Sequence, residues 1–222
     1  MELVLTVVSG LAWTIVYIEA IRIGFRDRSY AIPAAALALN FSWESIYAVN
    51  GLMTGLSVQA VVNVVWALAD LVIVLTFVRF GRRELPKFVS QPMFLGWAVL
   101  LFAASYGAQA LFIVEFGTDL AARYSAFLQN ALMSGLFIAM LVARRGLRGQ
   151  TLMIAIAKWL GTLAPTILLG VIHWSPLILC LGLICSAFDL VYVGLVLWAR
   201  RNPDALLDQG SAVGAESGPG RA

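Results

Sequence analysis

Charge is what this sequence most lacks. Only 12% of its 222 residues are charged, against 61% hydrophobic, and the mean hydropathy is +0.90. Soluble domains are about half apolar and about a quarter charged, so no soluble core could hide this much apolar surface. The natural solvent is a bilayer, where only helices or closed barrels satisfy their own backbone, and the sequence predicts one all-α membrane domain. Cysteine is also scarce. Cys180 and Cys185 sit about 140° apart around one expected helix. They cannot comfortably pair, lack the company of other metal ligands and read as packing residues; the redox compartment stays open. The net charge of +3 and pI near 9.1 do not point to nucleic acid. The basic residues lie at segment ends, and none form a basic face interleaved with aromatics. No fixed-period repeat and no inverted halves are visible, which speaks against a transporter built from repeats.

Long apolar runs are what is there. A membrane helix needs about 20 mostly apolar residues. Seven spans meet this, at about 3–22, 30–50, 57–79, 92–115, 119–143, 151–170 and 176–199. The first is not a signal peptide, since Met1-Glu2 gives no positive leader and the basic cluster follows the apolar run. Arg22, Arg26 and Arg28 follow span one; Arg79, Arg82, Arg83 and Lys87 follow span three. Arg144, Arg145 and Arg148 follow span five, and Arg200 and Arg201 end span seven. Twelve of the 15 basic residues thus fall on one side, and the opposite loops carry none. The positive-inside rule then predicts a seven-transmembrane helical bundle with the N-terminus outside and the C-terminus cytoplasmic. Residues 202–222 turn to Pro, Gln, Gly, Ser and Ala, the composition of a disordered tail.

Residues at i, i+3, i+4 and i+7 share one face of a helix. Asn40, Trp43, Glu44 and Tyr47 fit that spacing in span two, and Asn63, Trp66 and Asp70 in span three. Span four offers Phe102, Ser105, Tyr106 and Gln109; span five, Phe127, Asn130 and Ser134; span seven, Cys185, Ser186, Asp189 and Tyr192. Five spans therefore carry a face that mixes hydrogen-bonding groups with aromatic rings. Asn130, Ser134 and Gln109 also suit a plain role as interhelical glue. Glu19 is expected to pair with Arg22, Lys158 to snorkel to the cytoplasm, and His173 to be solvated in an outer loop. Asp119 suits a helix cap in the turn between spans four and five.

Glu44, Asp70 and Asp189 resist such readings. A carboxyl deep in an apolar segment costs roughly 2.5 to 3.5 kcal/mol or more to insert, and all three lie too deep for a short side chain to reach water. Only Lys158 and Arg123 lie near enough to neutralise them. Three acids with at most two bases leave at least one carboxyl protonated, a proton donor among rings. Cyclisation of an isoprenoid chain needs such a donor. The acid protonates a terminal epoxide or alkene, internal double bonds attack the growing cation, and ring faces stabilise the moving charge. A dry cavity protects the cation from water. Trp43, Tyr47, Trp66, Tyr106, Gln109, Phe127 and Tyr192 are the expected substrate- and cation-binding residues. Asp70, Asn40, Asn63 and Asn130 are the expected supporting acid and hydrogen-bond network.

The stretch Leu39-Asn40-Phe41-Ser42-Trp43-Glu44-Ser45-Ile46-Tyr47-Ala48 resembles the second-helix motif of the small integral-membrane terpene cyclases. These act on meroterpenoids and indole diterpenes of the pyripyropene and paxilline type and have smaller bacterial relatives. Asn63-x-x-Trp66-x-x-x-Asp70, Gln129-Asn130-x-x-x-Ser134 and Asp189-Leu190-Val191-Tyr192 extend the likeness over most of the membrane region. The resemblance implies that Glu44 and Asp189 match the family's two implicated acids and initiate cyclisation by protonation. It also implies a prenylated, farnesyl-bearing small molecule as partner and an isomerase- or lyase-type ring closure. Neither the Asp-x-Asp-Asp motif of soluble cyclases nor the Asp-Asp-x-x-Asp metal motif occurs. Their absence agrees with acid-triggered chemistry without metal or cofactor. Hydrogen bonds from Asn40, Asn63 or the Trp66 indole are expected to steady the carboxylate left behind. The membrane is a cell membrane if the source is bacterial. The alternative is a proton-coupled carrier or seven-helix sensor, although a retinal-type sensor would want a lysine in span seven and none is there. Chain length, ring pattern, epoxide versus alkene and oligomeric state stay open.

Overall fold

A computed structural model describes residues 1–55 and 58–203, and among these every regular element is helical. The helices are α1 (Glu2–Arg26), α2 (Ala34–Thr54), α3 (Val58–Phe80), α4 (Gln91–Arg144), α5 (Leu152–Pro165) and α6 (Pro176–Arg201). A 3₁₀ turn, Gly81–Glu84, extends α3, and a π-helical stretch, Thr166–Ile172, extends α5. Apart from Asn202 and Pro203, the expected tail lies outside the described residues. Three helices start on side-chain caps, each satisfying an orphan backbone N–H. Ser90 accepts from Met93, Thr151 from Ile154 and Ser175 from Ile178.

Among the described residues five helical stretches are long and apolar enough to cross a membrane: Glu2–Arg26, Val58–Glu84, Gln91–Arg144, Leu152–Ile172 and Pro176–Arg201. α2 is not among them, because Asn40, Ser42, Glu44, Ser45 and Asn50 dilute its apolar residues. The fourth and fifth expected spans are merged into α4, whose 54 residues would run about 80 Å if straight. They do not run straight. Gln109 donates to Gln129 at 3.0 Å, although 20 residues of straight helix would hold them about 30 Å apart. Glu84, just before α4 begins, also lies 3.7 Å from Arg144 at its end. α4 therefore doubles back on itself, and its break is Gly117, at φ 72° and ψ 163°. The turn expected around Asp119 is this single residue.

That conformation is open essentially to glycine alone. Open space surrounds the position where a Cβ would stand, so Gly117→Ala adds backbone strain and no clash. We expect it to lower stability by about 1–3 kcal/mol, read by thermal unfolding in detergent. An unchanged transition would mean that the reversal does not depend on this residue.

The core is formed by Val16, Ala20 and Ile23 of α1, Leu37 of α2, Ile73 and Phe77 of α3, Phe137 of α4, Ile154 of α5 and Val196 of α6. Lipid tails are as apolar as these side chains, so close packing rather than water drives association. Leu3, Leu68, Val99, Leu111 and Leu183 are exposed on the outer surfaces of their helices. At one end of the bundle the connections after α1, α3 and α4 meet. Arg148 pairs with Glu84 at 2.5 Å, Ser29 donates to Glu84 at 2.7 Å, and the Gly149 N–H donates to Asp27 at 2.8 Å. The expected Glu19–Arg22 pair is present at 2.6 Å. At the other end His173 is half exposed, 3.5 Å from Glu2.

Candidate active site

α2 turns one stripe inward. Asn40, Glu44 and Tyr47 are buried on it, and Trp43 is half-buried. Asn40 is the hub. Its amide donates to Asp70 of α3 at 2.8 Å and to the Tyr17 hydroxyl of α1 at 2.7 Å. Tyr17 in turn donates to the same Asp70 oxygen at 3.4 Å. Gln129 donates to the Asn40 carbonyl at 3.4 Å, and Gln109 completes the chain through Gln129. Four helices thus converge on one amide. Glu44 lies one turn further along α2, buried on the same stripe. Among the described residues no ion pair reaches either acid. One oxygen of each, Glu44 Oε2 and Asp70 Oδ1, is buried without a hydrogen bond inside the protein. Such oxygens are rare in folded proteins, and here there are two.

A cavity of about 350 Å³ opens beside this group at the Gly117 end of the bundle. Trp43, Tyr47, Asn50, Asn63 and Asp119 are among its walls. The Trp43 and Tyr47 rings lie 4.6 Å apart, and the Trp43 indole donates to the Ala122 carbonyl at 3.0 Å, pinning the wall to α4. Glu44 sits directly after Trp43 and three residues before Tyr47. A larger groove of about 730 Å³ runs between α1, α5 and α6 near Glu19, Arg26 and Arg200. None of the three deep acids lines either cavity; what marks the smaller one is its Trp43 and Tyr47 wall, on the α2 turn that carries Glu44.

The third acid stands in a different setting. Lys158 does not snorkel: it is wholly buried, with Nζ 2.7 and 3.0 Å from the two Asp189 oxygens and 2.7 Å from Ser134 Oγ. The expectation failed because an acid on the next helix, α6, offers the ammonium a nearer partner than water. Cys185 is free and buried one turn from Asp189, and Cys180 is free and exposed.

Of the other expected site residues, Gln109 joins the Asn40 network and Asn63 lines the cavity, its Oδ1 accepting from Gln59 at 2.7 Å. Trp66 packs against Tyr17 with centroids 5.8 Å apart, but its indole donates to Thr14 at 3.4 Å. Of the three donors expected to steady a carboxylate, only Asn40 reaches one. Tyr106 is not brought inward. It is 36% exposed and bonded to Ser45, at 2.7 Å. Tyr192 is buried but bonds Gln150 at 3.0 Å, toward the basic end. Phe127 is buried, and Asn130 keeps a buried Oδ1 without a partner. Tyr17 and Gln129 were not expected. A lone phenol in mid-span was the available signal for Tyr17. Gln129 lies about 100° from its neighbour Asn130, off the face assigned to that span.

The family model of Pyr4-like transmembrane terpene cyclases matches residues 1–202. The chain is 28% identical over 206 residues to terpene cyclase pyr4 of Aspergillus fumigatus, covering 86% of this chain and 84% of that protein. It is 28% identical over 179 residues to the Pyr4-family terpene cyclase mfmH of Annulohypoxylon moriforme, covering 77% and 71%. It is also 28% identical over 236 residues to terpene cyclase ascF of Acremonium egyptiacum, covering 94% and 85%. No solved structure matches the chain.

Proposed function

This chain belongs to the Pyr4-like transmembrane terpene cyclases, and on that premise we propose that it protonates an epoxide or terminal alkene on a prenylated small molecule and guides the resulting cation through ring closure. The enzyme is a multi-pass integral membrane protein. It crosses seven times, α4 counting twice, with its basic end in the cytoplasm and its N-terminus outside. The folding back of α4 and the meeting of three basic connections at one end support this count and sidedness.

The observation that carries the reading is the pair of buried acids, Glu44 and Asp70, which no ion pair reaches among the described residues: Asp70 is held by the Asn40 amide and the Tyr17 phenol, and Glu44 lies one turn of α2 beyond that amide. Two buried charges of one sign so placed repel, and on this reading the two carboxyls hold at least one proton between them. Glu44 delivers it. The Glu44 O–H bond breaks, the proton goes to the epoxide oxygen or alkene carbon, and a carbocation forms on the substrate. Each internal double bond then supplies the electron pair for a new C–C bond. A base takes a proton from carbon, the C–H electron pair becomes a double bond, and a proton returned to the Glu44 carboxylate restores the acid, so the product is an isomer of the substrate. Asn40 and Tyr17 hold donors in place against the acids before any charge moves. The Trp43 and Tyr47 faces stabilise the cation, and Asp189 is required for ring closure.

The test is to incubate membranes containing the protein with an aromatic bearing a farnesyl chain, with and without a terminal epoxide. A cyclic product of unchanged mass is expected from one of them. Transport of such compounds into liposomes on a pH gradient, with no covalent change, would instead establish the carrier alternative and overturn the proposal.

A further inference from the structure

Lys158 presents three N–H donors, and the structure gives each an acceptor. Two go to the two oxygens of Asp189, at 2.7 and 3.0 Å, and the third to Ser134 Oγ at 2.7 Å. The Ser134 hydroxyl is itself committed to the Asn130 carbonyl at 2.9 Å, so it accepts from lysine and has no proton for Asp189. An ammonium is a donor with no lone pair. A protonated Asp189 would point a hydroxyl at a group that cannot accept it, while a carboxylate meets one N–H on each oxygen. Both residues are fully buried, where a charge persists only with a close partner.

We propose that Lys158 is a positioning residue: it fixes Asp189 as a carboxylate, so that Asp189 enters the reaction as a negative charge and not as the proton source. The proton then comes from Glu44 and Asp70, which no ion pair reaches among the described residues. The second half of α4 carries both centres, with Gln129 bonded to Asn40 and Ser134 bonded to Lys158. This role in the reaction rests on the cyclase reading; the assignment of the charge does not.

The groups around Asp189 are few. α5 contributes Lys158, α4 contributes Ser134, and α6 contributes Cys185 and Tyr192. Among the described residues no second carboxylate is bonded to the pair.

The test uses the full chain in lipid nanodiscs at neutral pH and reads the infrared carboxylic-acid stretch, which is distinct from carboxylate bands. Glu44→Gln should weaken that signal, and Asp189→Asn should leave it unchanged while removing carboxylate intensity. Lys158→Met should add a new carboxylic-acid signal that the Lys158→Met/Asp189→Asn double variant lacks, and Lys158→Arg should match the wild type. Turnover on the cyclised probe should be lost in Lys158→Met and kept in Lys158→Arg. Loss of the carboxylic-acid signal in Asp189→Asn alone would overturn the proposal, and this comparison decides even if Lys158→Met does not fold. So would Lys158→Met turnover equal to the wild type. A wild type that cyclises nothing would remove the cyclase reading but leave the spectroscopic assignment standing.

Discussion

Glu44→Gln is expected to lower cyclisation about 10²–10⁴-fold, the usual contribution of a positioned general acid, while the protein still inserts and folds. Glutamine keeps the shape and both heavy-atom positions but carries no acidic proton. Because Glu44 Oε2 makes no hydrogen bond inside the protein, the amide breaks no internal contact there. If, as proposed, the ring walls of Trp43 and Tyr47 bind the substrate, KM should change little and the loss should fall on kcat. The measurement is cyclic product per folded protein, by mass spectrometry, on membranes normalised for expression. Turnover within tenfold of the wild type would take Glu44 out of the mechanism.

The helical class was legible because apolar composition leaves no other solvent for the chain, and the break between the fourth and fifth spans fell where expected. What patterning could not supply was the nature of that break. Gly117 looks like any loop glycine, yet one left-handed residue replaces a turn and keeps α4 hydrogen-bonded on both sides. The inward stripe of α2 was readable for a related reason: four polar or aromatic residues at helical spacing in an apolar segment mark a single face. That logic assumes one inward face per helix. The second half of α4 has two, Gln129 toward α2 and Ser134 toward α5 and α6, and a single stripe captures only one of them. Lys158 shows a further limit. Depth along a helix says that a lysine can reach water, and only the three-dimensional neighbour says that it need not.

Breaking the Lys158–Asp189 pair from one side is expected to cost about 3–5 kcal/mol, because a buried ionisable group loses its partner and must stay charged in a site closed to water or change its protonation to become neutral. Asp189→Leu strands the ammonium with Ser134 alone, and Lys158→Met strands the acid. Replacing both by apolar residues of similar volume leaves no charge behind, and such swaps in buried pairs are often neutral or stabilising. The double variant should therefore melt close to the wild type while each single variant melts well below it, a coupling that a double-mutant cycle in detergent measures directly. Activity should not follow stability. The double variant has recovered its packing but has lost the fixed negative charge, so it should stay inactive. If turnover returned with the melting temperature, the pair would be a structural tie between α5 and α6 and nothing more. Single variants as stable as the wild type would mean instead that water reaches the pair, and the closed ion-pair geometry would fail with them.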